Sequence, residues 1–237
     1  MFAVNEAAKN VWKITEDGWV AAYLVVGTER ALLIDAGTGA EDIKPVVEGL
    51  TSLPYDVIIT HNHYDHIDGA KGMANVHCHI QELLDDFHVL GEMPLAVIEG
   101  FRFDLGDRLL KVIDLPGHSK GSLGLIDEGN RLIFVGDAVS DTPVWMTDES
   151  MDLNQYIATM DKLLALGDKA DIWLGCHETV PMNPEWAQKL KTCAEEILKG
   201  NYAVEDYDLG DGTLADRAIV GDASMLFTKG VLEKIGC

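Results

Sequence analysis

The same order of elements occurs twice along this chain, and that order constrains its fold more than any other feature. Residues 18–26 (GWVAAYLVV) and 31–34 (ALLI) are rich in β-formers on either side of the polar turn GTER, which spells a hairpin ending at Asp35. A short helix is expected over 41–50. The apolar run YDVIIT (55–60) then reads as a buried strand leading straight into His61. Later, GSLGLI (121–126), the turn DEGN and RLIFV (131–135) spell a second hairpin, ending at Asp137. Residues 152–166 follow as a helix. Asp152 and Gln155 stand at capping-box spacing, and Leu153, Tyr156, Ile157, Met160, Leu163 and Leu164 make one apolar face. DIWLG (171–175) is the next strand, and it runs into Cys176 and His177.

Identity between the two stretches is too low for a sequence repeat, but the parallel order predicts two similar α/β halves packed sheet against sheet. They are expected over roughly 11–105 and 106–200, inside a single domain covering 1–237 with a C-terminal extension. Asn183 and Pro184 mark the start of a last helix over 184–199, as N-cap and first helical residue. Residues 201–228 read as loop with short strands. In such layered α/β folds ligands gather where strands end, so the polar residues that close the strands are the first candidates for a site.

The densest of these ends is HNHYDHIDG (61–69), with three histidines and two aspartates. Imidazole nitrogen and carboxylate oxygen suit Zn²⁺ and other first-row metals. His61 and His63 alternate on an extended segment and so face one point; a turn at Asp65 and His66 aims those two at a second point. One loop cannot complete two coordination spheres. His118 in LPGHSKGS, Asp137 in FVGDA and His177 in WLGCHE occupy equivalent strand-end places and are the expected complement. His77, His79 and His88 lie outside this pattern, and His77 and His79, in the strand-like HCH, are read as packing and hydrogen-bonding residues.

The formal net charge of −22 opposes binding to nucleic acid or to an anionic membrane, and no run of Lys and Arg offsets it. The longest apolar run, 19–26, is too short to span a bilayer, and MFAVNEAAKN lacks the pattern of a secretory signal. Cys78, Cys176, Cys193 and Cys237 lack CxxC spacing. They read as free thiols of a cytoplasmic protein, with Cys78 and Cys193 as small core residues.

With HxHxDH at 61–66, GHSKGS carrying His118, GD carrying Asp137 and the late His177, the chain resembles the metallo-β-lactamase-fold hydrolases, especially their glyoxalase II-like branch. The resemblance spans residues 19–177. It implies an α+β fold with α/β-type layers, a four-layer αββα sandwich. It implies two divalent metal ions, with Zn²⁺ expected first and Fe or Mn as alternatives. His61, His63 and His118 would hold one ion, Asp65, His66 and His177 the other, and Asp137 would bridge them. A hydroxide shared by ions roughly 3.5–4 Å apart would then attack a small-molecule substrate. Asp65 is the catalytic candidate, as the group that orients the hydroxide and takes its proton. Asp35 is the candidate partner behind a ligand histidine.

The β-lactamases of this fold usually carry Cys or Ser where this chain has Asp137, and the oxygen-reducing di-iron relatives carry Glu where it has His63. Thioesters, esters and lactones are therefore the expected substrates. A small-molecule phosphodiesterase, an iron-dependent sulfur dioxygenase and a non-catalytic metal-holding protein are the alternatives. Few basic residues stand near the C-terminus to receive glutathione: Arg217, Lys229 and Lys234. Many relatives have Gly-Gly where this chain has Asp68-Gly69. The stretches 85–101 and 139–151 are the expected substrate walls, with Trp145 and Met146 as pocket or core residues and Tyr64 as packing or substrate contact. Association with further copies of the chain stays open at this stage.

Overall fold

A computed structural model describes residues 1–84, 93–146, 152–210 and 212–232. Seven strands form the first sheet in chain order: β1 (Phe2–Ala8), β2 (Val11–Glu16), β3 (Val20–Val26), β4 (Ala31–Ile34), β5 (Tyr55–Ile59), β6 (Val76–His79) and β7 (Leu95–Val97). The expected hairpin is β3–β4, antiparallel with Tyr23 opposite Ile34. From β4 onward the strands run parallel. Parallel strands are covered on both faces, which is why β5 reads as an unbroken apolar run rather than an alternation. The helices α1 (Lys44–Leu50) and α2 (Tyr64–Ile67) are short.

The second sheet is built from β8 (Arg102–Asp104), β9 (Leu109–Asp114), β10 (Leu123–Asp127), β11 (Leu132–Gly136) and β13 (Ile172–Gly175), in the order β13-β11-β10-β9-β8. Its β10–β11 hairpin is the one expected from sequence, and β11 pairs parallel with β13. The strand β12 (Val144–Met146) lies elsewhere, described below. The helices α3 (Leu153–Leu166) and α4 (Pro184–Leu198) begin where their caps predict. Asp152 accepts from Gln155 N at 2.9 Å, and Asn183 Oδ1 accepts from Glu185 N and Trp186 N.

Three apolar clusters define the layers. Tyr23, Leu32, Ile34 and Ile58 of the first sheet meet Leu110, Leu125, Phe134 and Leu174 of the second between the sheets. Leu24, Leu33, Val57 and Ile59 face outward under Val47 of α1. Ile113, Ile133 and Trp173 face outward under Tyr156, Leu190 and Ile197 of α3 and α4. This is the αββα sandwich.

The C-terminal region is more ordered than its sequence suggests. β14 (Ala203–Asp208), β15 (Leu214–Val220) and β16 (Ala223–Thr228) join β12 in a four-stranded sheet, order β12-β16-β15-β14. Ala218, Met225 and Phe227 of that sheet pack into the cluster beneath α3 and α4. Its place in β12 decides the two residues proposed as a pocket wall: Met146 is buried in the core, and Trp145, one residue back and on the other face, is exposed. Residues 85–92 and 147–151 of the two expected substrate walls, with His88 and Cys237, lie outside the described residues.

Candidate metal centre

At one edge of the sandwich the ends of β4, β5, β11 and β13 come together. Main-chain bonds pin the two sheets there: Leu123 N donates to Thr60 O and Ala21 N to Cys176 O, both at 3.0 Å. The Tyr23 hydroxyl donates to Gly175 O at 2.6 Å. Two glycines make close approaches that a side chain would block. A Cβ on Gly69 would sit 2.0 Å from Ala36 O, and one on Gly117, at φ +153°, would sit 2.6 Å from the ring of Tyr156.

All seven residues singled out in the sequence meet at this edge. His118 Nε2 lies 3.1 Å from His61 Nε2 and 2.9 Å from His63 Nδ1. His177 Nε2 lies 3.1 Å from Asp65 Oδ2, and His66 Nε2 is 3.5 Å from the same oxygen. Asp137 stands between the two groups. Its Oδ2 is 3.8 Å from His61 Nε2, 3.6 Å from His118 Nε2 and 3.3 Å from His177 Nε2, and its Oδ1 is 3.4 Å from His66 Nε2. His61–His63–His118, His61–His66–Asp137 and Asp65–His66–His177 each bring three ligand atoms within 4.8 Å of one another.

The hydrogen bonds behind the rings assign their tautomers. His118 Nδ1 donates to Trp145 O at 2.7 Å, His177 Nδ1 to Trp19 O at 2.9 Å and His66 Nδ1 to Asp35 Oδ2 at 2.9 Å. Thr60 Oγ1 spends its proton on Asp35 Oδ2 at 2.8 Å, so it accepts from His61 Nδ1 at 3.1 Å. Each Nε2 therefore points inward, and those of His61 and His118, which burial keeps neutral, carry no proton. Two acceptors facing each other at 3.1 Å, as His61 and His118 do, repel unless a cation lies between them. His66 Nε2 and Asp137 Oδ1 are buried and have no hydrogen-bond partner among the described residues. Buried polar atoms are costly to leave unpaired, so this donor set fits metal ions.

Electrostatics divide the centre. Burial, with His66 and His63 nearby, holds His61 well below the usual imidazole range, and burial depresses His118 to about 4. Burial also lowers His66 and His177, but carboxylates outweigh it. Asp137 and Asp35 carry His66 well above its ordinary value, and Asp137 and Asp65 carry His177 to about 10. Burial pushes Asp65 up, but the neighbouring His177 and His66 imidazoles leave its carboxyl well below the usual range.

Asp35 fills the role expected of it and more. It holds a positive φ of 60°, uncommon for a residue with a side chain, and its carboxylate accepts from Thr60 N at 2.7 Å as well as from Thr60 Oγ1 and His66. The Cys176 thiol also reaches Asp35 Oδ2, at 3.4 Å, which places this cysteine behind the centre rather than in an ordinary core position. Sequence reading missed Glu82. This buried carboxylate accepts from Asn62 N at 3.1 Å, Ser119 Oγ at 2.8 Å and Gly121 N at 2.6 Å, and so ties the loop of His61 and His63 to the loop of His118. His77 bonds the carbonyls of Val57 and Asn75, and His79 faces Asp114 at 3.5 Å. Neither joins the metal cluster.

Comparison with known proteins agrees with this geometry. Residues 17–170 match the metallo-beta-lactamase superfamily. The chain is 32 % identical over 186 residues to the hydroxyacylglutathione hydrolase of Ruegeria pomeroyi, covering 74 % of this chain and 72 % of that protein. It is 26 % identical over 191 residues to the acyl-coenzyme A thioesterase MBLAC2 of Homo sapiens, covering 62 % and 68 %. A solved metallo-beta-lactamase from Pontibacter korlensis superposes with a TM-score of 0.71 over 82 % of this chain and 99 % of that one, at 18 % identity, a likeness of fold alone. With the family signature over most of its length and the histidine–aspartate cluster at the sheet edge, the chain belongs to the metallo-beta-lactamase superfamily, as an enzyme of its glyoxalase II-like branch.

Proposed function

We propose that the protein hydrolyses a carboxylic thioester, ester or lactone with two divalent ions, Zn²⁺ first among them, and that it works in the cytoplasm. The observation that carries this reading is the convergence of seven ligand side chains into two groups sharing Asp137. His61, His63 and His118 would hold one ion and Asp65, His66 and His177 the other. Ions held there supply Lewis acidity and lower the pKa of coordinated water. The names of the relatives, a hydroxyacylglutathione hydrolase and an acyl-coenzyme A thioesterase, support an acyl carbon as the point of attack.

The chain's own contribution is orientation. Asp65 stays ionised because His177 and His66 stabilise its carboxylate, so it accepts a hydrogen bond from the attacking water and aims it. With so low a pKa it orients a proton better than it stores one. For location, the described cysteines are free and buried, and no helix among the described residues is long and apolar enough to cross a membrane.

The test is metal analysis of purified protein followed by turnover of thioester, ester, lactone and phosphodiester panels. Hydrolysis of an acyl substrate that is lost in Asp137→Ala together with tight metal binding is the expected result. Full activity in Asp137→Ala, or turnover of phosphodiesters alone, overturns it.

A further inference from the structure

Beside the second ligand group two aromatic side chains stand exposed. Trp19 lies in the tight turn between β2 and β3, where Glu16 pairs with Val20 and both Asp17 and Gly18 take positive φ. Its indole stacks on the ring of His177, with centroids 5.4 Å apart and planes at 18°. Tyr64, the first residue of α2, brings its ring to 6.5 Å from the indole. Trp19 is 45 % and Tyr64 61 % exposed, so neither owes its place to the core. The structural duty at Trp19 belongs to its main chain, whose carbonyl accepts from His177 Nδ1. The indole is left to meet whatever approaches the centre. A paired indole and phenol beside ligand histidines present a flat apolar surface with little rotamer entropy to lose.

Charge narrows what that surface accepts. Asp68 follows Tyr64 by one helical turn, on the same face. Among the described residues, cations of the C-terminal region are already paired: Arg217 with Glu205 at 3.0 Å, Lys229 with Asp206 and Asp216, and Lys189 with Asp222 at 3.2 Å. The whole chain carries −22. An anionic substrate would meet repulsion with no described C-terminal cation released to offset it.

Resting on the hydrolase reading above, we propose that Trp19 and Tyr64 form the acyl-binding wall, and that the substrate is an uncharged thioester or ester with an apolar acyl group, favourably an aryl one. In the thioester case water forms the new acyl C–O bond, the C–S bond breaks, and the thiol leaves with a proton as the carboxylic acid is released.

The test uses metal-loaded protein and three thioesters of N-acetylcysteamine, a neutral thiol: acetyl, phenylacetyl and succinyl. Phenylacetyl should exceed acetyl in kcat/KM by at least about tenfold, the range a well-fitted apolar pocket delivers. Succinyl should fall below phenylacetyl. In the W19A/Y64A double variant the phenylacetyl-to-acetyl ratio should drop by about tenfold, while metal content stays at the wild-type value because the carbonyl of residue 19 remains. An unchanged ratio, or a preference for succinyl, overturns the proposal. Should no thioester turn over, the thioester arm of the hydrolase reading fails separately. The wall is then judged by saturation-transfer NMR with the non-hydrolysable thioether analogue of the phenylacetyl compound. Equal binding to wild type and double variant sinks the wall, and weaker binding to the variant upholds it.

Discussion

Glu82→Ala should weaken the fold more than its distance in sequence from any ligand suggests. The Glu82 carboxylate is buried, 1 % exposed, and is the shared acceptor for Asn62 N, Ser119 Oγ and Gly121 N. Ser119 is itself tied to Ser122, whose Oγ accepts from Ser119 N at 3.0 Å, so the loop behind His118 hangs on this one side chain. Hydrogen bonds to a charged acceptor contribute about 1.5–3 kcal/mol each, and an orphaned buried donor costs a similar amount. Asn62 N is only partly buried, so water can replace Glu82 there, but the Gly121 and Ser119 donors are buried. The expected loss is therefore about 3–4 kcal/mol. Glu82→Gln keeps the shape and the Oε1 acceptor but turns an amide NH₂ toward Asn62 N, and should cost about 1–2 kcal/mol. Denaturant unfolding of the metal-stripped proteins measures both. Transfer of Zn²⁺ from the loaded proteins to a chromogenic chelator should be faster for both variants, because the two ligand loops are no longer held in register. A Glu82→Ala protein within about 1 kcal/mol of the parent at the same m value refutes the reasoning.

Asp35→Asn should lower affinity for the ion proposed to sit on Asp65, His66 and His177 by about 10–100-fold, since an amide cannot replace the carboxylate that fixes His66 and Thr60 together. Chelator competition resolving two ions checks it, and two unchanged affinities would dispose of the role. Proton release should also separate the ions. Burial holds His61 and His118 below the usual imidazole range, so near neutral pH they bind metal without giving up a proton, whereas His66 and His177, raised by carboxylates, must each lose one. Affinity of the second group should accordingly fall as pH drops below about 10, where His177 takes up its proton, and the contribution of His118 to the first group only as pH nears 4. Calorimetry in buffers of different ionisation heat reads this, and equal release for both ions contradicts it. Far from the centre, Arg108→Leu should cost about 3 kcal/mol, the low end for a broken buried pair, because buried Asp127 loses the cation at 2.9 Å but keeps the hydrogen bonds from Asn130 N and Nδ2. Adding Asp127→Asn should recover part of that loss in thermal melts, and no recovery would mean that packing rather than charge sets the cost.

What sequence could reveal follows from how each feature is encoded. The central strands were legible because a parallel strand covered on both faces must be apolar throughout, as β5 is. The start of α4 was legible because Asn183 and Pro184 act on their own neighbours. The clustering of the candidate ligands was legible because histidine and aspartate directly after apolar strands have few structural uses. The third sheet was obscured by its composition: β14 (AVEDYD) is exposed along nearly its whole length and lacks the alternation of a half-buried strand. Glu82, Thr60 and Cys176 were hidden for another reason. Their partners are distant in the chain, and nothing local separates Glu82 in HIQELL from an ordinary solvated acid. The groups that carry metal chemistry announce themselves by type; the groups that aim them do so only through the fold.

That division recurs inside the centre. The two deep imidazoles, His61 and His66, share one anchor, since Asp35 holds His66 directly and holds His61 through Thr60. Two further imidazoles hang on main-chain carbonyls, His177 on Trp19 and His118 on Trp145. Both of those carbonyls belong to residues whose aromatic side chains are exposed. A carbonyl is indifferent to the side chain on its own residue. Substitution at either tryptophan can therefore remodel the surface a substrate meets while His118 and His177 keep their tautomer and aim. One ligand set can thus serve unrelated substrates, and specificity in this protein is to be sought in the side chains at 19, 64 and 145 rather than in the seven residues proposed to hold the metals.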